Sequence, residues 1–154
     1  MMNKVIFIND ILASVRKSFS AAENLDDNQA MEIIVRAVFD DPRSSSLDDE
    51  ETEECISKIF FKTRCRLGIL QPLADDEDAT EIMVNGPENI FVEKGGKIEK
   101  YGFCFDSAEE LEEVIRNVAG DVHREISEMN PIVDARLADG SRVNGVYKNV
   151  AVNG

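Results

Sequence analysis

Two arginines, Arg136 and Arg142, flank an Asp139-Gly140 turn signal in the stretch D-A-R-L-A-D-G-S-R-V-N-G. A guanidinium is always charged and meets phosphate oxygens through paired N–H donors. Two such groups this close together could hold a phosphorylated ligand. The same spacing admits a second reading. Strand alternation puts Arg136 on the face of Asp134, so one arginine could form a structural ion pair, which contributes little when exposed. On these residues alone both readings stand.

The other chemistry-bearing residues assemble nothing complete. His123, the only histidine, is expected on a long helix beside Arg124 and Glu125, with no orienting carboxylate or target nominated, and reads as a surface residue. Glu109, Glu110, Glu112 and Glu113 read as the solvent face of that helix. Cys55, Cys65 and Cys104 are odd in number and widely spaced without C-x-x-C, which argues against a disulfide framework and a zinc site. They alternate with apolar residues and are expected in the core. The acidic run Asp75 to Asp78 reads as a solvated loop, because it lacks the alternation and central glycine of a calcium loop. E-K-G-G-K-I-E-K fails the P-loop spacing, since Phe91 stands five before Gly96 and Ile98 follows Lys97. It is expected to be a hairpin turn. No Walker motif occurs, so no catalytic residue and no metal site is assigned to this chain.

The elements that must position these groups differ between the two halves. Up to Leu67 the apolar spacing is helical: Val5, Ile8, Leu12, Val15 and Phe19; Met31, Ile34, Val35 and Val38; Ile56, Ile59, Phe60, Thr63 and Leu67. Asp26 with Gln29 and Ser46 with Asp49 are expected capping pairs, and Gly68 the stop of the third helix. Residues 1–68 therefore predict a three-helix unit, and 69–79 a connection. From Thr80 the period shortens: T-E-I-M-V-N, N-I-F-V-E-K and K-I-E-K-Y-G-F-C-F are strand-like runs divided by turn signals. Ser107 with Glu110 should cap a long helix whose apolar face is Leu111, Val114, Ile115, Val118, Val122 and Ile126. P-I-V-D-A-R-L-A and S-R-V-N-G-V-Y-K then predict a β-hairpin. Residues 80–154 are thus expected to form an α+β unit, a small antiparallel sheet with one long helix packed on it.

Composition bounds the function. The chain has 154 residues, 43% hydrophobic and 31% charged, enough for one ordinary domain or two small ones with a real core. Its net charge of -14 argues against nucleic acid and anionic membrane as partners. The charge is uneven. From Met129 onward Arg136, Arg142 and Lys148 stand against Asp134 and Asp139, a local +1 that leaves -15 for the rest. No apolar run approaches the ~18 residues of a membrane span, and Asp10 interrupts any signal-peptide core. The sequence reads as that of a soluble, cytosolic protein.

Two long ordered motifs add to this reading. L-G-I-L-Q-P-L-A-D-D-E-D-A-T-E-I-M-V-N-G-P-E-N-I-F-V-E-K-G-G-K-I-E, followed by N-P-I-V-D-A-R-L-A-D-G-S-R-V-N-G-V, resembles the N-terminal region of the type II/type IV secretion traffic ATPases, in particular the CpaF-like motors of tight-adherence (Flp) pili. Gly68, Leu70, Pro72, Leu73, Thr80 to Pro87, Phe91 to Glu93, Gly96, Lys97 and Val133 to Asn144 carry the match, which covers roughly Leu67 to Asn144. The resemblance implies a PAS-like N-terminal domain of a homo-hexameric motor, packed over a RecA-like ATPase domain that this chain does not contain. It implies ATP and Mg²⁺ in the full-length protein, neither being expected in this chain alone. It also implies inner-membrane platform proteins as partners, and a cytoplasmic place at the inner face of the cell membrane. In the family, the arginine of a G-[ES]-R-V segment reaches the terminal phosphates of ATP, and Arg142 stands at that position. Arg136 is the weaker candidate, because the ion pair with Asp134 competes for it. A second family arginine, from an I-R-K-F stretch, lies past the N-V-A-V-N-G where the sequence stops. V-Y-K-N-V-A-V-N-G departs from the family's I-P-P. The alternative is a free-standing α+β domain, without ATPase activity, that binds a protein or senses a small ligand.

Overall fold

The computed structural model describes residues 3–147. It divides into two compact units, one ending at Gly68 and the other beginning at Ile69. The fold is α+β, with five α-helices and five strands among the described residues.

The first unit packs α1 (Lys4–Ala21), α2 (Asp27–Asp40) and α3 (Asp49–Arg64) around one core of Phe7, Ile8, Ile11, Leu12, Val15, Ile34, Val38, Cys55 and Ile59. Asn3 starts α1 by accepting from the Val5 and Ile6 amides at 3.1 and 3.3 Å. The buried stripe of α1 runs through Phe7, Ile8, Ile11, Leu12 and Val15, whereas Val5, expected on it, is exposed. Five apolar residues on a broad stripe outweigh the single i, i+3, i+4 series from which Val5 was placed.

Asp26 and Gln29 close the expected capping box on α2, at 2.8 and 3.1 Å. On α3 the box belongs to Asp48 and Glu51 instead of Ser46 and Asp49. Ser46 is engaged elsewhere: Pro42–Ser46 forms a 3₁₀ turn, and the Ser46 hydroxyl donates to the Arg43 carbonyl at 2.8 Å. Asp41 caps that turn, and the bonds from Arg43 hold its carboxyl down at about 2. Arg43 also pairs with Asp10 of α1 at 2.8 Å and lies over the Phe7 ring. Helix α3 ends at Arg64 with Cys65 as its cap, so Gly68 closes the following turn and is not the helix stop.

In the second unit Ile69 and Leu73 are buried. They come from the stretch expected as a connection, where a 3₁₀ turn (Gly68–Leu70) leads into the short α4 (Gln71–Ala74). Strands β1 (Ala79–Val84), β2 (Ile90–Lys94) and β3 (Lys97–Lys100) form an antiparallel meander. Gly95 and Gly96, at φ +55° and +75°, make the two-residue turn between β2 and β3. Those angles suit a type I′ hairpin, as read from E-K-G-G-K.

Helix α5 (Ala108–Asp121) begins at Ser107, whose hydroxyl accepts from the Glu110 amide at 3.2 Å. The Glu110 carboxylate accepts from Asp106 rather than from Ser107, so the expected box closes one residue further out. β4 (Ile132–Arg136) and β5 (Arg142–Val146) form a separate two-stranded sheet, so the strands divide into two sheets where one was expected. Helix α5 packs on this second sheet, through Ile115 and Ala119 against Val133 and Ala135, with Ile126 and Tyr147 completing the cluster.

Candidate functional site

Strand alternation sorts the β4–β5 hairpin into two faces. Val133, Ala135, Val143 and Gly145 turn inward; Val133 and Ala135 lie in the cluster with α5. Ile132, Asp134, Arg136, Arg142, Asn144 and Val146 are exposed on the other face. The turn is tight. Leu137 donates to the Ser141 carbonyl at 2.8 Å, Gly140 donates to the Leu137 carbonyl at 3.0 Å, and the Asp139 carboxylate accepts from the Ser141 amide at 2.8 Å. The bonds from Ser141 hold the Asp139 carboxyl below its ordinary range. At the open end the Tyr147 amide donates to the Pro131 carbonyl at 2.7 Å, which ties the two strands together.

Register places Arg136 directly opposite Arg142, and Asp134 opposite Asn144. The ion pair therefore runs diagonally across the strands. Arg142 donates to Asp134 through Nε at 3.2 Å and Nη2 at 2.8 Å, a bidentate pair. This corrects the expectation that Arg136 competes for Asp134. A same-strand i, i+2 pair and a cross-strand diagonal span similar distances, about 7 Å, so strand alternation by itself does not choose between them. Among the described residues no carboxylate pairs with Arg136. The bond from Arg142 holds the Asp134 carboxyl below its usual range, and Arg124 acts in the same sense through space.

Arg124 was missed by sequence reasoning, and the reason lies in how α5 ends. Helix α5 stops at Asp121, short of Val122 and Ile126, which were expected on it. His123, expected within the helix, sits beyond it at φ +54°. The His123 amide bonds to the Gly120 carbonyl at 3.1 Å and the Arg124 amide to the Ala119 carbonyl at 2.8 Å. That pattern is a Schellman stop with His123 in the left-handed position. Arg124 follows directly on that stop.

A second cluster beneath the hairpin was also unread. Glu112, expected on the solvent face, has a side chain only 13% exposed. It accepts from Arg116 at 2.9 Å and from the Tyr147 hydroxyl at 3.2 Å. No spacing rule pairs residues 35 positions apart. Glu109 and Glu113 are exposed as expected.

The remaining candidates scatter. Cys55 is buried in the helical core, where burial pushes its thiol up; Cys65 is half-buried and Cys104 exposed, so the core expectation holds for Cys55 alone. In the acidic run Asp75, Glu77 and Asp78 are exposed, while Asp76 pairs with Lys94. Among the described residues no three His, Cys, Asp or Glu side chains gather to hold a metal ion. Nor is any helix there long and apolar enough to cross a membrane. Residues 148–154, with most of the V-Y-K-N-V-A-V-N-G departure, lie outside the described residues. The hairpin's outer face thus presents two guanidiniums, of which that of Arg142 is bonded to Asp134.

No family model matches the chain. Two proteins of Methanocaldococcus jannaschii are similar to it in sequence. Uncharacterized protein MJ0781 is 34% identical over 104 residues, which is 66% of this chain and 14% of that protein. Uncharacterized protein MJ0900 is 35% identical over 82 residues, 53% of this chain and 15% of that protein. The chain thus spans about a seventh of the length of the curated relatives it matches. Among solved structures, the VirB11 ATPase from the Brucella suis type IV secretion system, in complex with sulphate, is 29% identical over 55% of this chain and 26% of that chain, with a TM-score of 0.45.

Proposed function

We propose that this chain is the non-catalytic N-terminal part of a secretion or pilus motor, and that its β4–β5 hairpin presents Arg142 to the terminal phosphates of ATP held by a RecA-like domain elsewhere in the full-length protein. One observation carries the reading. The stretch that matches the traffic-ATPase motif, Val133 to Asn144, folds as a tight hairpin whose outer face bears Arg142, with 71% of its side chain exposed. In this reading the chain alone hydrolyses no ATP, because it has no Walker motif. It acts as a sensor that couples the nucleotide state to closure of the two domains in a hexameric ring. Membrane platform proteins and neighbouring subunits are its partners there, and it works at the inner face of the cell membrane. Guanidinium suits the task, because it keeps its charge and offers phosphate a planar pair of donors.

The test starts with the source gene beyond the codon for Gly154. An I-R-x-F segment followed by G-x-x-x-x-G-K-[ST] is expected; a frame that closes without them defeats the reading and leaves a free-standing binding domain. In the full-length protein, Arg142→Ala should lower ATP turnover by roughly tenfold or more, with the oligomer unchanged by light scattering. Unchanged turnover would overturn the assignment of Arg142.

A further inference from the structure

On the reading of the hairpin as a phosphate site, we infer that Asp134 is a built-in counter-ion which phosphate displaces, and that a dianionic terminal phosphate then bridges Arg142 and Arg136. The carboxylate of Asp134 occupies Nε and Nη2 of Arg142, the donor pair that a phosphate would take. The two arginines stand directly opposite one another. Like charges in that position destabilise a strand pair, and Asp134 compensates only one of them. Asp139, the nearest acidic residue in the turn, is held by Ser141. Arg124 adds positive charge beside Asp134. Arg142 is thus bonded to Asp134, Arg136 faces Arg142 across the strands, and Arg124 acts on Asp134 through space.

That imbalance sets which anions bind. A monoanion that replaces Asp134 at Arg142 leaves the local charge as it was, and it must compete with a tethered carboxylate of high effective concentration. It gains nothing. A dianion meets both guanidiniums and adds one unit of compensation. The exchange needs no rearrangement of the core, because the side chains of Arg142 and Asp134 are 71% and 51% exposed. Asp134 can swing into solvent while the hairpin keeps its register. Asp134 therefore sets a threshold that every anion must meet, and the dianionic end of a phosphate chain, which engages both guanidiniums, is the one that recovers it.

The experiment titrates the complete 154-residue chain with inorganic tripolyphosphate and follows the arginine Nε–H signals by NMR. Tripolyphosphate is expected to move both Arg136 and Arg142. Asp134→Asn should tighten its binding by up to about fivefold, the range an exposed ion pair can contribute, and should tighten acetate by no larger a factor. Arg136→Gln should weaken binding as much as Arg142→Gln. Binding that is absent, or that Asp134→Asn leaves unchanged or weakens, overturns the inference, and so does an Arg136 signal that stays still. An ATP arm separates the ligand's source: if ATP and tripolyphosphate bind alike, the terminal phosphates alone are recognised. A full-length protein without ATPase activity would defeat the motor reading while tripolyphosphate binding still stood.

Discussion

His123 shows how a residue type can mislead when its backbone is unknown. A lone histidine followed by Arg124 and Glu125 invites a catalytic or a surface reading, and both place it on the helix. Its position is instead the one residue after α5 that must turn left-handed, at φ +54°. Histidine is among the side chains enriched there, yet an L-residue in that region costs roughly 1–2 kcal/mol against glycine. His123→Gly should therefore raise stability by about 1 kcal/mol, read as a higher urea midpoint with an unchanged slope. A loss of stability would show that the imidazole makes a contact worth more than the strain. The arginines teach the complementary lesson. Their number, type and closeness to a turn were legible, because turn chemistry is local. Which of them Asp134 takes was not, because the choice depends on a diagonal across two strands.

At the scale of elements, local grammar carried furthest where the chain bonds to itself within a few residues. The capping box of α2, the Gly95-Gly96 turn and the hairpin turn at Asp139-Gly140 all lie where the sequence places them. It failed where a neighbour from another element decides, as at Glu112 beneath Tyr147. Gly145 is the sharpest such case. On strand propensity a glycine within β5 is a weakness that alanine should repair. A Cβ there would lie 2.9 Å from Cγ1 of Val133, with Ile115 and Ile126 behind it. Valine is stiff at χ1 and cannot swing away cheaply. Gly145→Ala should thus destabilise the hairpin against α5 by about 1–3 kcal/mol, measured by denaturant unfolding, with the Arg142 signals broadened as the outer face loosens. Val133→Ala in the same chain should restore part of the loss. If Gly145→Ala is neutral alone, the close packing of hairpin and helix is not what holds the candidate site in place.

For the whole molecule, the change in hydrophobic period after the third helix was visible in the sequence, whereas the division of the strands into two sheets was not, since no residue pattern announces which strands fail to pair. The helical unit closes a core of its own: Phe7, Val15, Ile34, Val38, Cys55 and Ile59 are all at most 2% exposed, and all lie before Gly68. Its helices are also joined by polar contacts that stay within it, Arg43 with Asp10 and Arg64 with Asp27. A unit of that size buries a smaller share of its surface than a full-length domain and has little stability to spare. It nevertheless has mostly local contacts, which favour rapid folding. Residues 1–68 expressed alone should therefore give a helical circular dichroism spectrum and a single cooperative thermal transition. Ile34→Ala, at a cost of about 2–5 kcal/mol, should abolish that transition. A fragment that is disordered from the start would mean that the helical unit draws its stability from the α+β unit, and the candidate phosphate site would then have to be studied only in chains that carry both.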